Sequence, residues 1–409
     1  MVEQFAIDFD HHSKEFLDNW PESWNDLRSE CPVGHSSSYG GFWVVTGYDC
    51  VTEVARDDVH FSSHNDIEGD HKAGGGILIP STELRFGIIE YDAPLHVEVR
   101  RLLLPWFTRN AAEQLRPYLA EFANNAVNQF IETGSCDLVK DFTTLVPAGA
   151  TLKLLGLDGC DASFYADTFH RHMFATHDEE EYKSVRESML VVDEDVESAI
   201  RDRRNSPRDN DLISLLCEAK ILGNSLNNDQ LKEIMRTLIA GGLDTSASLT
   251  NCALAWLGQN QDARVQLIQN PGLIPSATEE FLRYFGPSQA MARTVTSNYE
   301  LAGRMLVPGD RVLLSWVGAN HDPQEFDRPE AIDLSRSPNR HTSFGVGAHR
   351  CIGSHLGRVE FQVMLSEILR RMPDYEIDYE IAERYPTLGI INGYVSLPAV
   401  FSAGSAQRV

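Results

Sequence analysis

The chain contains 409 residues, of which 42% are hydrophobic, so it can bury a large core and is neither a disordered chain nor a disulfide-stapled miniprotein. Its 60 acidic and 35 basic residues give a net charge of −25. This charge excludes an ordinary nucleic-acid-binding protein and disfavours binding to an anionic membrane, because both need an excess of Lys and Arg.

The seven cysteines are scattered and include no CxxC pair, which predicts thiols in a reducing compartment rather than a disulfide framework. The first 20 residues are polar and acidic and lack the pattern of a signal peptide. No run of 18 apolar residues occurs, so no membrane-spanning helix is predicted. We therefore expect a soluble, cytoplasmic protein whose residues 1–409 form a single domain.

Residue patterns along the chain predict a mainly α fold with small antiparallel β-sheets. Short β-type segments are predicted at residues 42–46, 299–306, 311–316 and 394–401. Apolar residues at spacings of three and four predict helices at residues 111–133, 226–257 and 356–372. Asn227 or Asn228 would cap the second of these helices. At about 30 residues it would be roughly 45 Å long, enough to cross the whole domain.

His96 and Arg100 are spaced one helical turn apart in a predicted helix. Together with Arg293 and His349 they could donate hydrogen bonds to two carboxylates of a cofactor, because an Arg fork matches a carboxylate at two points. The alternative for this pair is the solvated face of a surface helix.

Two adjacent glycines, Gly241 and Gly242, occupy the middle of the long predicted helix. Each interior Gly costs about 1 kcal/mol relative to Ala, so the pair indicates either close helix packing or a functional opening. Asp244 and Thr245 beside it form an acid–alcohol pair able to deliver protons. The Thr245 hydroxyl could also bond to a carbonyl one turn earlier.

Glu280 and Arg283 have the i, i+3 spacing of a helical ion pair. The same Glu-x-x-Arg spacing recurs elsewhere in the chain, so it carries little information alone. The pair at Glu280 and Arg283 is informative because it lies after the paired glycines and before the cysteine loop.

The sharpest pattern is Phe-Gly-Val-Gly-Ala-His-Arg-Cys-Ile-Gly at residues 344–353. Glycines allow positive φ and close backbone approach, so this loop could aim N–H groups at the sulfur of Cys351. Cys351 would lie at the start of the helix predicted next, where the helix dipole favours a thiolate. A lone stabilised thiolate suits a single axial ligand of a heme iron. The alternative is a buried structural cysteine in a glycine-rich turn.

These elements, in this order, resemble the cytochrome P450 family of heme-thiolate monooxygenases over about residues 15–402. The family's heme loop is present in full at residues 344–353, its oxygen-activation motif at residues 241–245, and its Glu-x-x-Arg at residues 280–283. The chain looks like a soluble bacterial member, with a weaker similarity to camphor and terpenoid hydroxylases. The resemblance implies the P450 fold, in which a long central helix crosses a heme.

The resemblance also implies roles for single residues. Cys351 would be the proximal ligand of the iron of heme b, in a cofactor-binding loop that includes Phe344 and Gly345. Thr245 and Asp244 would be catalytic and handle dioxygen and its protons. The heme propionates would be bound by four basic residues: His96, Arg100, Arg293 and His349.

Glu280 and Arg283 would be a structural pair that supports the core beside the heme. The family often adds an Arg to this pair, shortly before an Ile-Asp or Phe-Asp. Ala331 stands at that position here, before Ile332-Asp333. The network is therefore expected to be smaller or to be completed by another residue.

The substrate pocket is expected to be apolar. By position in the family pattern it would be lined by Ile77, Leu78, Phe86, Leu238, Gly242, Gln289, Ala290, Met291, Ile390 and Ile391. Gln289 and Asn392 are its candidate polar anchors, and residues 69–87 are expected to form a mobile loop at its entrance. Ordinary core packing is the alternative for each of these residues.

The resemblance implies a monooxygenase that inserts one oxygen atom from O2 into a C–H bond of a small hydrophobic substrate, terpenoid-like or aromatic. No flavin or nucleotide-binding segment follows the heme loop, so a [2Fe-2S] ferredoxin with an NAD(P)H-dependent reductase would supply electrons. A basic patch near the cysteine would dock this acidic partner through Arg100, Arg101, Arg109, Arg336, Arg340, Arg350 and Arg358.

Two other functions remain open on the sequence alone. A peroxide-driven peroxygenase would keep the heme but need no ferredoxin, and the acid–alcohol pair argues against it. A non-catalytic helical ligand-binding protein would carry the Gly-Cys loop incidentally, and such a protein would purify colourless and without iron.

Overall fold

The structure is a computed structural model that describes residues 5–67, 74–82, 84–157, 159–174 and 179–407. In chain order the α-helices are α1 (Lys14–Asn19), α2 (Glu22–Glu30), α3 (Tyr48–Arg56), α4 (Gly87–Glu90), α5 (Leu95–Leu103), α6 (Arg109–Asn128), α7 (Leu145–Leu155), α8 (Ala162–Phe174), α9 (Glu179–Asn205), α10 (Leu212–Glu218), α11 (Asn228–Gln259), α12 (Gln261–Gln269), α13 (Ile274–Phe285), α14 (Trp316–Asn320) and α15 (Ser354–Arg371).

The β-strands are short throughout. In chain order they are β1 (Ala6–Ile7), β2 (Val33–Ser36), β3 (Phe42–Val45), β4 (Phe61–Ser62), β5 (Ser135–Asp137), β6 (Lys220–Ile221), β7 (Asn224–Ser225), β8 (Ala290–Val295), β9 (Tyr299–Leu301), β10 (Arg304–Leu306), β11 (Arg311–Ser315), β12 (Glu376–Ile377), β13 (Glu383–Arg384), β14 (Tyr394–Ser396) and β15 (Pro398–Val400). The predicted mainly α fold with small sheets is confirmed.

Backbone contacts divide the chain into two compact units. The first comprises Met1–Arg101, Glu279–Ile352 and Pro386–Asn392. The second comprises Leu102–Thr278, Gly353–Tyr385 and Gly393–Val409. Whether residues 1–409 fold as the expected single domain stays a prediction.

A six-stranded sheet with the order β1-β2-β3-β11-β8-β4 forms the centre of the first unit. Phe42 and Val44 of β3 belong to one apolar cluster, with Trp24, while Trp43 and Val45 belong to another. Because both faces of the sheet are covered, β3 is a continuous apolar run rather than an alternating one. Two of the pairings, β1 with β2 and β3 with β11, are parallel, whereas the sequence predicted antiparallel sheets only.

The 32-residue helix α11 is the central element of the second unit, where it packs against α7, α8, α9 and α15. Asn227 is its N-cap: the Asn227 side chain accepts a bond from the N–H of Gln230, and the Gln230 side chain accepts one in return from the N–H of Asn227. The predicted bounds of this helix, residues 226–257, therefore lie two residues early at each end. A three-stranded sheet, β12-β15-β5, and two hairpins complete the unit.

Two predicted strands are each divided in the structure. Residues 299–306 form the hairpin β9–β10, because Ala302 and Gly303 both take positive φ, at 48° and 74°, and turn the chain back. Residues 394–401 form β14 and β15, which pair with different strands. No helix in the described part of the chain combines the length and apolarity needed to cross a lipid bilayer.

Candidate functional site

The loop at residues 344–353 depends on its glycines for its shape. Gly345 and Gly347 have φ values of 65° and 77°, and a Cβ on Gly347 would collide with the carbonyl oxygen of Ala55. The N–H of Cys351 donates to the carbonyl of Phe344 at 2.7 Å and closes the loop. Cys351 is exposed, which is the opposite of a buried structural cysteine.

A buried set of polar side chains, which the sequence analysis did not single out, fixes the start of this loop. Oδ1 of Asn320 accepts hydrogen bonds from the Thr342 N–H at 2.6 Å and from the Thr342 hydroxyl at 3.0 Å. Nδ2 of Asn320 donates to Ser343 at 2.7 Å, and Ser343 donates to the Leu282 carbonyl at 2.6 Å. The pattern links α14, α13 and the loop, three segments whose contact no local spacing predicts.

Four basic residues gather near the loop within the first unit. The rings of His96 and His349 stack with centroids 4.0 Å apart, and Arg100 donates to the carbonyl of Arg350 at 2.6 Å. Arg293 is 4% exposed and donates to the carbonyl of Ala292 at 2.7 Å. Nδ1 of His349 is buried and has no hydrogen-bond partner among the described residues.

Burial depresses the pKa values of this cluster, and the positive charges of its members lower the pKa values of the two histidines further. Burial lowers the pKa of Arg293 to about 10. Burial and then Arg100 lower the pKa of His96 to about 4, and burial followed by Arg293, His96 and Arg100 lowers the pKa of His349 to about 2. Carboxylates placed here would relieve both the repulsion and the unsatisfied Nδ1 of His349. The cluster therefore fits the two propionates of a heme.

The paired glycines of α11 have different surroundings. A Cβ on Gly242 would collide with the hydroxyl of Thr151 and lie 3.1 Å from its Cγ2, so Gly242 allows α7 to pack closely. A Cβ on Gly241 would meet nothing within 4 Å, and Gly241 is exposed. Close packing thus explains Gly242, and a functional opening at Gly241 stays a prediction. The Thr245 hydroxyl donates to the Gly241 carbonyl at 2.9 Å, as the sequence predicted.

Asp244 is 2% exposed, and its carboxylate is already engaged. It lies 2.8 Å from Nδ1 of His170 on α8 and 2.8 Å from the hydroxyl of Tyr385. Ser248, one turn further along α11, donates to it at 3.3 Å. His170 and Tyr385 come from segments far from α11 in the chain, so no local pattern in the sequence pointed to either of them.

Comparison with known proteins is consistent with this geometry. The cytochrome P450 family profile matches residues 161–373. Steroid C26-monooxygenase from Mycobacterium tuberculosis (strain CDC 1551 / Oshkosh) is 28% identical over 383 residues, which cover 92% of this chain and 98% of that protein. Mycinamicin IV hydroxylase/epoxidase from Micromonospora griseorubida is 31% identical over 365 residues, which cover 88% of this chain and 89% of that protein.

This chain belongs to the cytochrome P450 family. The solved structure of the bacillaene polyketide synthase cytochrome P450 PksS from Bacillus subtilis 168 superposes with a TM-score of 0.85 at 26% identity, covering 96% of this chain and all of the other. The predicted P450 fold is therefore confirmed, and the protein is an oxidoreductase of the monooxygenase class. Members of the family bind heme b through a cysteine thiolate.

In this P450 the Glu-x-x-Arg pair is fully buried. Nε and Nη2 of Arg283 donate to the two carboxylate oxygens of Glu280, both at 2.9 Å. Arg336 supplies the additional cation: its Nε donates to Glu280 at 2.9 Å, and Asn339 donates at 3.1 Å. Ala331 contributes its carbonyl, which accepts from Arg283 at 2.9 Å. The network is thus completed by another residue, one of the two outcomes expected.

The docking patch predicted from the sequence therefore loses one of its arginines, Arg336. The side chain of Arg336 is 9% exposed and is bound to Glu280, so the expectation that it contributes to a surface patch is wrong. In the first unit, Arg101, Arg340 and Arg350 are exposed.

A buried carboxyl that the sequence analysis missed lies next to the oxygen-activation motif of this P450. Ser246 of α11 donates to Oε2 of Glu360 on α15 at 2.6 Å. Oε1 of Glu360 is buried without a hydrogen-bond partner among the described residues. Burial raises the pKa of Glu360 to about 7.

The structure brings several of the predicted pocket residues of this P450 to the edge of β8 in the first unit. The Ala292 N–H donates to the Ile77 carbonyl at 2.8 Å, and the Gln289 N–H donates to the Ile390 carbonyl at 3.2 Å. Ile391 forms an isolated bridge with Ser288. In the same unit Ile77, Phe86, Ala290 and Ile391 are buried, and Leu78, Met291 and Ile390 are half-buried.

The two predicted polar anchors both bond to backbone. Nε2 of Gln289 donates to the carbonyls of Phe285 and Gly286, at 2.9 and 2.6 Å, and Nδ2 of Asn392 donates to the Phe285 carbonyl at 3.3 Å. In the second unit Leu238 is 7% exposed on α11, one turn before Gly242. Of the predicted entrance loop, residues 69–73 and 83 lie outside the described residues.

Proposed function

We propose that this P450 uses Cys351 as the iron ligand and inserts one oxygen atom from O2 into a C–H bond of a small hydrophobic substrate. The observation that carries the assignment is the cysteine loop: two glycines with positive φ present one exposed thiol, and the basic cluster lies in the same unit. A thiol meant only for packing would be covered, as Cys252 is at 4% exposure.

The chain's own residues would hold the heme by charge and by shape. Arg293 and His349, which form no ion pair among the described residues, would bind the propionates together with His96 and Arg100. Phe344 and Gly345 would form the wall of the loop that presents the sulfur. A propionate would give the buried Arg293 guanidinium an anionic partner, so heme binding would stabilise the first unit.

Heme, when bound, supplies the reduction of dioxygen and the oxidation of the C–H bond. The chain supplies protons and orientation. Thr245 directs its hydroxyl hydrogen to the Gly241 carbonyl, which leaves the oxygen of the hydroxyl able to accept a bond. Asp244 is the adjacent acid and would exchange a proton with Thr245.

The substrate class that we propose is terpenoid-like or aromatic. Apolar side chains at Ile77, Met291 and Ile390 support it. The amide nitrogens of Gln289 and Asn392 already bond to backbone carbonyls, whereas Oε1 of Gln289 has no partner among the described residues and could accept one hydrogen bond from a substrate. Steroids form the competing class, because a steroid C26-monooxygenase aligns with 92% of this chain. The spectral shift caused by binding of terpenoids, aromatics and steroids distinguishes these classes.

We propose a [2Fe-2S] ferredoxin with an NAD(P)H-dependent reductase as the electron source. Exposed Arg101, Arg340 and Arg350 support docking of an acidic partner to a chain whose total charge is −25. The competing function is a peroxygenase. Product formation with hydrogen peroxide alone at the rate obtained with ferredoxin, reductase and NAD(P)H would contradict the ferredoxin proposal.

The experiment that tests the ligand assignment is substitution of the cysteine. Cys351→Ser is expected to abolish the red-shifted Soret band of the reduced CO complex, because that band requires a thiolate ligand. Cys31→Ser is the matched control, since Cys31 is a half-buried thiol of the same unit and Ser keeps its hydrogen bond to the Val33 carbonyl. A normal band in Cys351→Ser would overturn the assignment.

A further inference from the structure

Asp244 contacts a buried histidine, His170, and a buried tyrosine, Tyr385, and neither residue belongs to the oxygen-activation motif. His170 is 8% exposed and Tyr385 is fully buried. Nδ1 of His170 lies 2.8 Å from Oδ1 of Asp244, and the hydroxyl of Tyr385 lies 2.8 Å from Oδ2 and 3.0 Å from Oδ1. Together with Ser248, these residues bring three hydrogen-bonding side chains to the Asp244 carboxyl group from three segments of the chain.

The histidine and the tyrosine also contact each other: the hydroxyl of Tyr385 lies 2.9 Å from Nδ1 of His170, so the two side chains and the Asp244 carboxyl form one hydrogen-bonded cluster. Burial, followed by the charge of Asp244, raises the pKa of Tyr385 well above its ordinary value, so the phenol keeps its proton. Both carboxylate oxygens are thereby satisfied in a site that is closed to bulk water.

The position of the tyrosine is itself fixed by close packing. The Tyr385 N–H donates to the carbonyl of Gly393 at 3.1 Å. A Cβ on Gly393 would lie 2.7 Å from the Ser248 hydroxyl and 2.9 Å from the Tyr385 ring. Only a glycine at residue 393 therefore lets the phenol and Ser248 approach Asp244 together.

The same arrangement separates Asp244 from its neighbour in the motif. The hydroxyl of Thr245 donates to the carbonyl of Gly241 at 2.9 Å, while the carboxyl group of Asp244 lies 2.8 Å from Nδ1 of His170 and from the Tyr385 hydroxyl. The orientation of the acid is thus set by α8 and by the segment that ends at Tyr385, and not by Thr245.

We propose that His170 and Tyr385 are positioning residues for oxygenation, which hold the Asp244 carboxyl group in the orientation from which it exchanges a proton with the Thr245 hydroxyl. The inference rests on the role proposed above for Asp244 and Thr245. A buried carboxyl group without these hydrogen bonds loses its fixed orientation. A larger share of the electrons from NAD(P)H then reduces O2, with two protons, to hydrogen peroxide. A smaller share is used to form product.

The first test measures product and peroxide formed per NAD(P)H in the holoenzyme. His170→Ala and Tyr385→Phe are expected to lower the product yield about tenfold, the effect of losing one buried hydrogen bond, and to raise peroxide. His170→Asn keeps a donor near the position of Nδ1 and is expected to restore most of the yield. The substrate dissociation constant from the spectral shift stays unchanged, because the cluster is proposed to act on protons rather than on substrate.

A control on the same helix separates positioning from general damage. His172 is two residues beyond His170 on α8, and burial followed by Arg236 lowers its pKa. His172→Ala is expected to keep the wild-type yield of product. If His172→Ala uncouples as strongly as His170→Ala, or if His170→Ala leaves the yield unchanged, the proposal is wrong.

The second test asks whether His170 acts through Asp244. In an Asp244→Asn background, adding His170→Ala is expected to cause no further loss, since partners in one network are not additive. Equal losses in both backgrounds would overturn the proposal.

A readout independent of turnover is the ring ¹⁵N spectrum of histidine-labelled holoenzyme in its diamagnetic ferrous CO form. The Nδ1 signal of His170 is expected to shift in Asp244→Asn and to stay in place in Thr245→Ala. If the Nδ1 signal of His170 does not shift in Asp244→Asn, the contact between His170 and Asp244 is contradicted. If Asp244→Asn and Thr245→Ala both keep full product yield while the His170 signal responds, the proposed proton function fails and the contact stands.

Discussion

Glu360 is a carboxylic acid held where water does not solvate it. Its partner among the described residues is the Ser246 hydroxyl, at 2.6 Å, and its pKa is raised from 4.5 to about 7 by burial. The folded protein therefore keeps a proton that the unfolded chain loses. By linkage, the stability of the folded state falls as pH rises from about 4.5 to about 7 and is level above that range.

Glu360→Gln is expected to remove this pH dependence, because an amide does not ionise. The variant should be more stable than the wild type at pH 8, by up to about 3 kcal/mol, and the difference should vanish below about pH 4.5. Melting temperatures of the holoenzyme across this range measure the effect. Glu121→Gln on the exposed face of α6 is the control and should follow the wild type at every pH.

At the scale of residues, the sequence predicted what lies within one local pattern. The glycines, the cysteine and the spacing of Glu280 and Arg283 are all readable from short motifs. Arg336 was not, because it reaches Glu280 from a loop whose path depends on the carbonyl of Ala331 and on Asn339. His170 was not either, since α8 meets α11 only in the folded chain.

The helix α11 combines a close packing contact and an open face within two residues. At Gly242 it touches Thr151 of α7, whereas at Gly241 nothing lies within 4 Å of the position that a Cβ would take. An interior glycine weakens a helix by about 1 kcal/mol relative to Ala. The close approach of Thr151 accounts for Gly242, whereas no contact with the described residues accounts for Gly241.

Gly242→Ala is expected to destabilise the protein by about 1–3 kcal/mol, because Thr151 is buried and β-branched and cannot move aside. Adding Thr151→Ala should recover most of that loss. Gly241→Ala meets no such obstacle and should be neutral or stabilising, by at most about 1 kcal/mol. Thermal unfolding of the wild type and these three variants measures the differences in stability. Equal losses of stability in Gly241→Ala and Gly242→Ala would contradict the prediction.

At the scale of elements, the sequence predicted the long helices but did not predict which strands pair with each other. The N-cap of α11 was readable because Asn227 and Gln230 are neighbours in the chain. The parallel pairing of β3 with β11 joins residues 42–45 to residues 311–315, and no local period carries that information. The hairpin β9–β10 did have a signal, the pair Ala302-Gly303, whose positive φ angles suit a two-residue turn.

The whole chain passes between its two compact units five times, at residues 101–102, 278–279, 352–353, 385–386 and 392–393. Two of these crossings fall inside the helices α5 and α13. Domains that unfold separately are usually joined by a single exposed linker. Because the chain crosses between the units so often, we expect them to unfold together.

We expect one unfolding transition for the holoenzyme. Far-ultraviolet circular dichroism and the Soret absorbance should change together as temperature or denaturant is raised, since a melted segment in one unit would break helices shared with the other. Two separated transitions, or a Soret change well before the loss of helix, would show that the units unfold independently.

The position of Arg336 has a practical consequence for hybrids made by recombination with other family members. Where the partner sequence carries the additional arginine at the position of Ala331, a hybrid joined between residues 331 and 336 would place either two further guanidinium groups or no further one beside the Glu280–Arg283 pair. We expect such hybrids to yield less folded protein than hybrids joined on either side of this interval.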